Sequence, residues 1–354
     1  MSKAPRIAIA AGGTAGHVVP ALAVADALRA RGAEVVFIGG DRAERELVPA
    51  AGYPFERLSV SALDRRNPLR ALRALTQALG AVLRARSLLR GYDAVMGGGG
   101  YVAGPVGLAA LLRRIPIVLT EADSRLGIAN RVLAPFARSV CLAFPIRGRD
   151  GERYVVTGRP VAPPDADRAQ ARAEFGVIDG ELLVLVFGGS LGSRRINEAA
   201  IEGLDGDYRV LHVTGARDWP SLSARPRRAG YDMREYLDRD RFAAALAASD
   251  LVIARSGGSI FEIAAYGRPA ILVPYPAASA GHQLSNARWM ERAGAAVVLL
   301  DGDCDAPRLR AEVARLVADA GALAEMSAAS LSLARPQAAS EVAELVLAAA
   351  VGRA

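Results

Sequence analysis

The chain has 354 residues and a mass of 37.0 kDa, enough for two ordinary domains. Hydrophobic residues make up 52% and charged residues 23%, which supports large cores and excludes a disordered chain. Lys3 is the only lysine, which excludes a P-loop, a pyridoxal-phosphate Schiff base and a kinase phosphate anchor.

Along the chain, apolar strand patterns alternate with helical ones. Arg6–Ala11 reads as a strand that breaks into Gly12-Gly13, a strand meeting a loop rather than a signal peptide. A helix follows from Pro20 to Ala30, opened by its proline and closed at Gly32. Glu34–Gly39 is the next strand and Arg42–Ala51 the next helix, with strands expected at Tyr92–Met96, Ile115–Thr120 and Val140–Ala143. A second series begins near residue 182, with strands at Leu182–Phe187, Arg209–Val213, Leu251–Ala254, Ala270–Pro274 and Ala296–Leu300. IAIAAGGTAG opens the first series and VLVFGGSLG the second, each a strand followed by Gly-Gly-[Thr/Ser]-x-Gly. The pattern predicts an α/β protein of two doubly wound parallel-sheet domains, joined through the proline-rich stretch Gly158–Pro164. A helix from Pro336 to Ala350 ends the chain, and no segment reaches the ~20 apolar residues that span a bilayer.

The net charge of +7 is unevenly spread. Residues 1–160 carry 23 Lys and Arg against 12 Asp and Glu, whereas residues 161–354 carry 21 against 25. The first half therefore faces something anionic, a membrane surface or a phosphorylated substrate. Nucleic acid is not expected, since aromatics are only 5% and no zinc or RNP-like motif occurs. Between Arg65 and Arg90 lie seven arginines and no acid, with Leu69, Leu72, Leu75, Leu79, Val82, Leu83 and Leu89 at near-helical spacing. This segment reads either as a solvated basic face over a core stripe or as an interfacial helix for anionic lipid.

Cys141 and Cys304 stand alone, and His17, His212 and His282 are scattered, so neither a disulfide scaffold nor a zinc motif is present. DxD-like strings such as Asp205/Asp207 and Asp301/Asp303 read as turns, and no metal or cofactor is assigned. The chemistry gathers instead on glycine-rich strand-to-helix loops. Gly12–His17, Gly97–Pro105 and Gly188–Asn197 let a ligand approach the backbone, with helix N-termini behind them, and suit diphosphate. None satisfies G-x-G-x-x-G, so a dinucleotide dehydrogenase lacks its signature. A fourth loop, Arg255–Glu262, adds a carboxylate that can accept from a ribose diol, and His282–Asn286 supplies amides suited to sugar hydroxyls. His17 opens a helix, where an imidazole tends to stay neutral as a general base requires.

In this order, GGTAGH (12–17), GGGGYVAGP (97–105), GGSLGSRRIN (188–197), RSGG (255–258) with Glu262, and HQLSNA (282–287) resemble the MurG family. These are the N-acetylglucosaminyltransferases that make lipid II in peptidoglycan synthesis. The match covers about Arg6 to Gly294. It implies a GT-B fold, two Rossmann-like domains facing each other across a cleft. Residues 1–160 would be the acceptor- and membrane-facing domain, 161–335 the UDP-GlcNAc-binding domain, and 336–354 a helix packing back on the first. It also implies inverting transfer of GlcNAc from UDP-GlcNAc to the MurNAc 4-hydroxyl of undecaprenyl-diphospho-MurNAc-pentapeptide. The enzyme would act at the cytoplasmic face of the membrane as a peripheral protein.

Carried over residue by residue, the resemblance makes His17 and Glu121 catalytic. It makes Gly12, Gly13, Gly98, Gly99, Gly100 and Tyr101 contacts to the acceptor diphosphate. Donor contacts would come from Thr14, Ala15, Gly16, Asp123, Arg159, Ser190, Arg255, Ser256, Gly257, Gly258, Ser259, Glu262, His282 and Gln283. Three departures stand out. The family's His-Glu-Gln-Asn is Thr120-Glu-Ala-Asp123, its Gly-Asn-Pro-Val-Arg is Gly158-Arg-Pro-Val-Ala162, and the Arg255-to-Glu262 spacing is one residue short. The resemblance leaves open whether Arg159, three residues back, replaces the arginine missing at Ala162. Alternatives on a similar fold are a UDP-GlcNAc 2-epimerase, another lipid glycosyltransferase and a non-catalytic sugar-nucleotide-binding subunit.

Overall fold

The structure is a computed structural model that describes residues 4–60, 79–123, 125–189, 191–278 and 281–352. The chain forms two compact units, Met1–Ala162 with Arg335–Ala354, and Pro163–Ala334.

The first unit carries seven parallel strands: β1 (Arg6–Ala10), β2 (Glu34–Gly39), β3 (Phe55–Arg57), β4 (Ala94–Gly97), β5 (Ile117–Glu121), β6 (Ser139–Leu142) and β7 (Tyr154–Val156), in the order β3-β2-β1-β4-β5-β6-β7. Helices cover both faces, so the central strands are apolar throughout. Successive side chains of β1 divide between the faces as the two-residue period requires. Ile7 and Ile9 enter the cluster with the helix Ala15–Ala30 and the C-terminal helix Ala338–Val351. Ala8 and Ala10 enter the one with residues 79–88 and the helix Ala103–Leu112. Val342, Ala343 and Val346 of the C-terminal helix are fully buried there, and Arg31 donates to Ser340 and Glu344 of the same helix.

The second unit has β8 (Leu183–Phe187), β9 (Arg209–Val213), β10 (Tyr231–Arg234), β11 (Leu251–Ala254), β12 (Ala270–Leu272) and β13 (Ala296–Val298), all parallel, ordered β10-β9-β8-β11-β12-β13. In each unit the strand order reverses beside the first strand, between β1 and β4 and between β8 and β11. Ligands of open α/β sheets bind at such points, beyond the carboxyl ends of the strands. All four glycine-rich loops follow those four strands.

Some elements differ from expectation. The first helix starts at Ala15 and carries Pro20 inside it. The strands β3, β7 and β10 have three or four residues each, partly exposed and at or next to the sheet edges, and their patterns are too short to stand out. Of the arginine-rich stretch, residues 61–78 with Arg65, Arg66, Arg70, Arg73, Leu69, Leu72 and Leu75 lie outside the described residues. In residues 79–88, which are helical, and just beyond, Val82 and Leu89 are core while Leu79 and Leu83 face outward.

Candidate functional site

In the first unit the loops after β1 and β4 lie against each other at close backbone contact. Gly99 and Gly100 both have positive φ, +91° and +79°, which side-chain-bearing residues rarely adopt. A Cβ on Gly100 would stand 1.8 Å from the Gly12 carbonyl oxygen, and one on Gly99 would stand 2.7 Å from the His17 ring. A Cβ on Gly98 would stand 2.9 Å from the Ala11 methyl. The glycines thus serve first to bring the two loops and the imidazole together.

Two of the loop amides expected to meet phosphate already donate within the protein. Gly98 N–H donates to the Ala10 carbonyl at 2.9 Å, and Gly13 N–H to Glu44 Oε2 at 2.8 Å. Glu44 Oε1 also accepts from Gly40 N–H and Tyr101 O–H, each at 2.9 Å. Burial alone would raise the Glu44 pKa. Hydrogen bonds from Gly13, Tyr101 and Gly40 outweigh it and hold the group below the usual carboxylate range.

Thr14, extended, precedes the helix; Ala15, Gly16 and His17 form its first turn. His17 Nδ1 lies 3.3 Å from Thr14 Oγ1. A proton on Nδ1 donated to Thr14 leaves Nε2 as the basic nitrogen. Burial, and then the charge of Arg159, lower the His17 pKa, against weaker upward pulls from Asp123 and Glu44. Both effects favour the neutral ring. Arg159 itself is buried and donates to the Gly16 carbonyl. Arg159 and Asp123 thus both lie close enough for their charges to act on His17.

Glu121 ends β5 and is buried. It accepts from Gly127 N–H at 2.7 Å, Asn130 Nδ2 at 3.0 Å and Asp123 N–H at 3.2 Å. Burial raises its pKa while these donors oppose the rise. The carboxylate knits its own loop, which leaves His17 the less encumbered base.

In the second unit, the loops after β8 and β11 flank the switch point. Ser190 lies outside the described residues. Behind its loop runs a buried polar chain. Asn197 Nδ2 donates to the Thr214 carbonyl and to Asp218 Oδ2, each at 3.0 Å. Its Oδ1, an acceptor only, lies 3.0 Å from His212 Nε2, which must carry the ring proton. His212 Nδ1 then accepts from Tyr231 O–H at 2.9 Å. Burial lowers the His212 pKa to about 3, so this ring stays neutral.

Arg255 does not extend into open space. Its guanidinium pairs with Asp301 at 2.5 Å, donates to the carbonyls of Val273 and Pro274, and lies 5.3 Å from the Tyr275 ring centroid. Ser256, fully buried, donates to the Gln283 carbonyl at 2.8 Å, and Asn286 Nδ2 donates to the Ser256 carbonyl. Gln283 Oε1 accepts from Tyr275 N–H at 2.9 Å. The loop after β11 and the helix His282–Arg292 are thus one construction, and Gly257 faces the Gln283 amide. Gly258 and Ser259 lead into the short helix Ile260–Ala265, with Glu262 in its first turn. Of the expected donor contacts, Thr14, Ala15, Gly16, Asp123 and Arg159 belong to the first unit and the remainder to the second.

Sequence reasoning passed over Glu44 and Asp218, took Asn197 only as the end of a glycine loop and His212 as a scattered histidine, and read Asn286 as a sugar contact rather than as the donor to the Ser256 carbonyl. Each meets its partners across the sheet topology rather than along the chain. A carboxylate just beyond the second strand of a doubly wound sheet was the one available signal for Glu44.

The comparisons agree with this layout. Residues 7–142 match the glycosyltransferase family 28 N-terminal domain and residues 183–344 its C-terminal domain. Relatives from Moorella thermoacetica and Nitrosococcus oceani are each 40% identical, over 97% and 98% of this chain and 98% and 99% of theirs. Both are named UDP-N-acetylglucosamine–N-acetylmuramyl-(pentapeptide) pyrophosphoryl-undecaprenol N-acetylglucosamine transferase. The crystal structure of Acinetobacter baumannii MurG superposes with a TM-score of 0.77 at 29% identity, covering 98% of this chain and all of that one. A UDP-GlcNAc 2-epimerase from Neisseria meningitidis, at 13% identity and a TM-score of 0.66 over 97% of this chain and all of that one, shares the fold alone. With both family domains matched and 40% identity sustained over nearly the whole length, the chain belongs to the MurG family of N-acetylglucosamine transferases.

Proposed function

We propose that this enzyme transfers GlcNAc from UDP-GlcNAc to the MurNAc 4-hydroxyl of undecaprenyl-diphospho-MurNAc-pentapeptide, with inversion at the anomeric carbon. The observation that carries the reading is the half-buried His17 at the head of its helix, its pKa lowered by desolvation, pressed against the second glycine loop. In the reaction the 4-hydroxyl proton passes to His17 Nε2 as the oxygen bonds to C1 of GlcNAc. The bond from C1 to the UDP oxygen breaks on the opposite face, and UDP leaves with the electron pair. Arg159 and Asp123, whose charges bear on His17, tune the base. The loops of the second unit built on Ser256, Gln283 and Asn286, with Glu262 beside them, hold the nucleotide. Arg255 acts there as a post that fixes the loop and not as a direct phosphate ligand.

The acceptor's lipid keeps it in a bilayer, so the enzyme works as a peripheral protein on the anionic cytoplasmic leaflet. Among the described residues no helix is long and apolar enough to cross a membrane. Labelled UDP-GlcNAc with a short-chain lipid I analogue tests the proposal. A product with GlcNAc β-linked to the MurNAc 4-oxygen supports it. Epimerisation of UDP-GlcNAc without acceptor, or binding without turnover, rejects it.

A further inference from the structure

Glu44 is a fully buried carboxylate in a position where doubly wound sheets commonly present an acid to a ribose. Here its bonds are made within the protein. Both oxygens are already occupied, by Gly13 N–H on one side and by Gly40 N–H and Tyr101 O–H on the other. Tyr101 seals the place, since a Cβ on Gly40 would stand 1.9 Å from the tyrosine oxygen. The three donors come from three segments: the loop after β1, the turn after β2 and the loop after β4. One carboxylate therefore ties together the loop that leads into the helix of His17 and the loop against which the His17 ring rests.

We infer that Glu44 is a positioning residue for the acceptor half of the transfer reaction, clamping the two glycine loops so that His17 is held in place. The inference rests on the reading of His17 as the base. A buried charge-assisted cluster of this kind has one good arrangement, because each donor left unpaired in a dry site is costly. Rigidity of this kind matters for turnover, since misplacing a reacting group by about 1 Å can cost ~10²-fold.

Glu44→Gln changes the clamp without changing its size. An amide oxygen can still accept from Gly40 and Tyr101, but the amide nitrogen then meets the Gly13 N–H, donor against donor. The loop leading into His17 should loosen. The groups facing His17 are Arg159, Asp123, Glu44, Thr14 and, across Gly13, Tyr101. Loss of the Glu44 charge removes a weak upward pull on the imidazole, so its pKa should fall.

The test compares wild type with Glu44→Gln, using labelled UDP-GlcNAc and a short-chain lipid I analogue, with UDP-GlcNAc affinity measured by calorimetry. The expected result is a fall of about 10- to 100-fold in kcat/KM for the acceptor. UDP-GlcNAc affinity should stay unchanged, and the acid limb of the pH–rate profile should move to lower pH. A folded variant with wild-type kcat and acceptor KM, or one that loses UDP-GlcNAc affinity in equal measure, overturns the inference. Absence of transfer by the wild type would reject the proposed function instead. If the variant does not fold, amide hydrogen exchange of the wild type decides: Gly13 and Gly40 protected like the amides of β1 support the clamp, and exchange at exposed-loop rates overturns it.

Discussion

The guanidinium of Arg159 donates to the carbonyl oxygen of Gly16, a carbonyl that Pro20 leaves without its helical donor. In an α-helix the amide of residue 20 would bond that oxygen, and proline has no amide hydrogen. An interior proline and a distant arginine thus complete one hydrogen bond, and the arginine's charge comes to rest beside His17. Arg159→Ala should therefore raise the His17 pKa, because a positive neighbour that lowers it is gone. The acid limb of kcat/KM against pH should move to higher pH, and turnover near neutrality should fall. Arg159→Lys, which keeps the charge, should hold the limb near its wild-type position. An unmoved limb in the alanine variant would separate Arg159 from the base.

His17→Ala should cut turnover by roughly 10²–10⁴-fold, the range expected when a general base is removed. UDP-GlcNAc affinity should stay near wild type, since the nucleotide is assigned to loops of the other unit. Near-normal turnover at saturating acceptor would pass the role to Glu121. That carboxylate would first have to give up its bonds to Gly127, Asn130 and Asp123.

Glu262→Ala should weaken UDP-GlcNAc binding by about 1–3 kcal/mol if its carboxylate accepts from the ribose. Calorimetry reads this directly, and unchanged affinity removes Glu262 from the site. Asn286→Ala should weaken binding by another route, because it deletes the donor to the Ser256 carbonyl and slackens the loop that carries Gly257 and Gly258.

The alternation of strands and glycine loops was legible because a parallel sheet buried on both faces writes its central strands as short apolar runs, as in Ile7–Ala11 and Leu183–Phe187. Edge strands such as Phe55–Arg57 carry charge and face partly outward, so their composition says little. Pro20 misled for a physical reason. Proline usually opens a helix, yet here the carbonyl it orphans is satisfied by Arg159, 143 residues away in the chain. The same distance effect hid Glu44 and the Asn197–His212 pair, whose roles exist only once the strands are ordered. His17 was legible as a candidate because its proposed role depends on a local fact, its place at the head of a helix after a glycine loop.

His212 makes stability depend on pH. Folded, it stays neutral with a pKa of about 3; unfolded, it takes up a proton near the ordinary value of 6.5. Its contribution is fully present above pH 6.5 and is lost as pH falls from there toward 3, with a slope of up to ~1.4 kcal/mol per pH unit. The urea midpoint of wild type should therefore drop between pH 7 and pH 5. His212→Gln, which cannot charge, should show a shallower drop from a lower starting stability. Equal slopes in the two proteins would mean that other groups govern the acid limb.

Membrane attachment should reside on one face of the first unit. Residues 79–88 and the helices Ala103–Leu112 and Ile128–Leu133 bury Val82, Val106 and Leu133 in the same cluster against the sheet. Their outer sides leave Leu79, Leu83, Leu112 and Val132 between 57% and 63% exposed, with Phe136 just beyond at 64%. The exposed arginines Arg84, Arg86 and Arg131 lie in the same segments, with Arg114 and Arg138 just beyond them. Leucine and phenylalanine side chains entering the headgroup boundary add apolar burial to arginines that each contribute about 1 kcal/mol near an anionic surface. Co-sedimentation with vesicles should require anionic lipid and weaken with salt, because that part of the attraction is screened. Leu79→Ser with Leu83→Ser should reduce binding without changing its salt dependence, whereas Arg84→Gln with Arg86→Gln should flatten that dependence. UDP-GlcNAc affinity should not change in either pair. Equal sedimentation with neutral and anionic vesicles, or no loss in either double variant, would return these residues to an ordinary solvated surface.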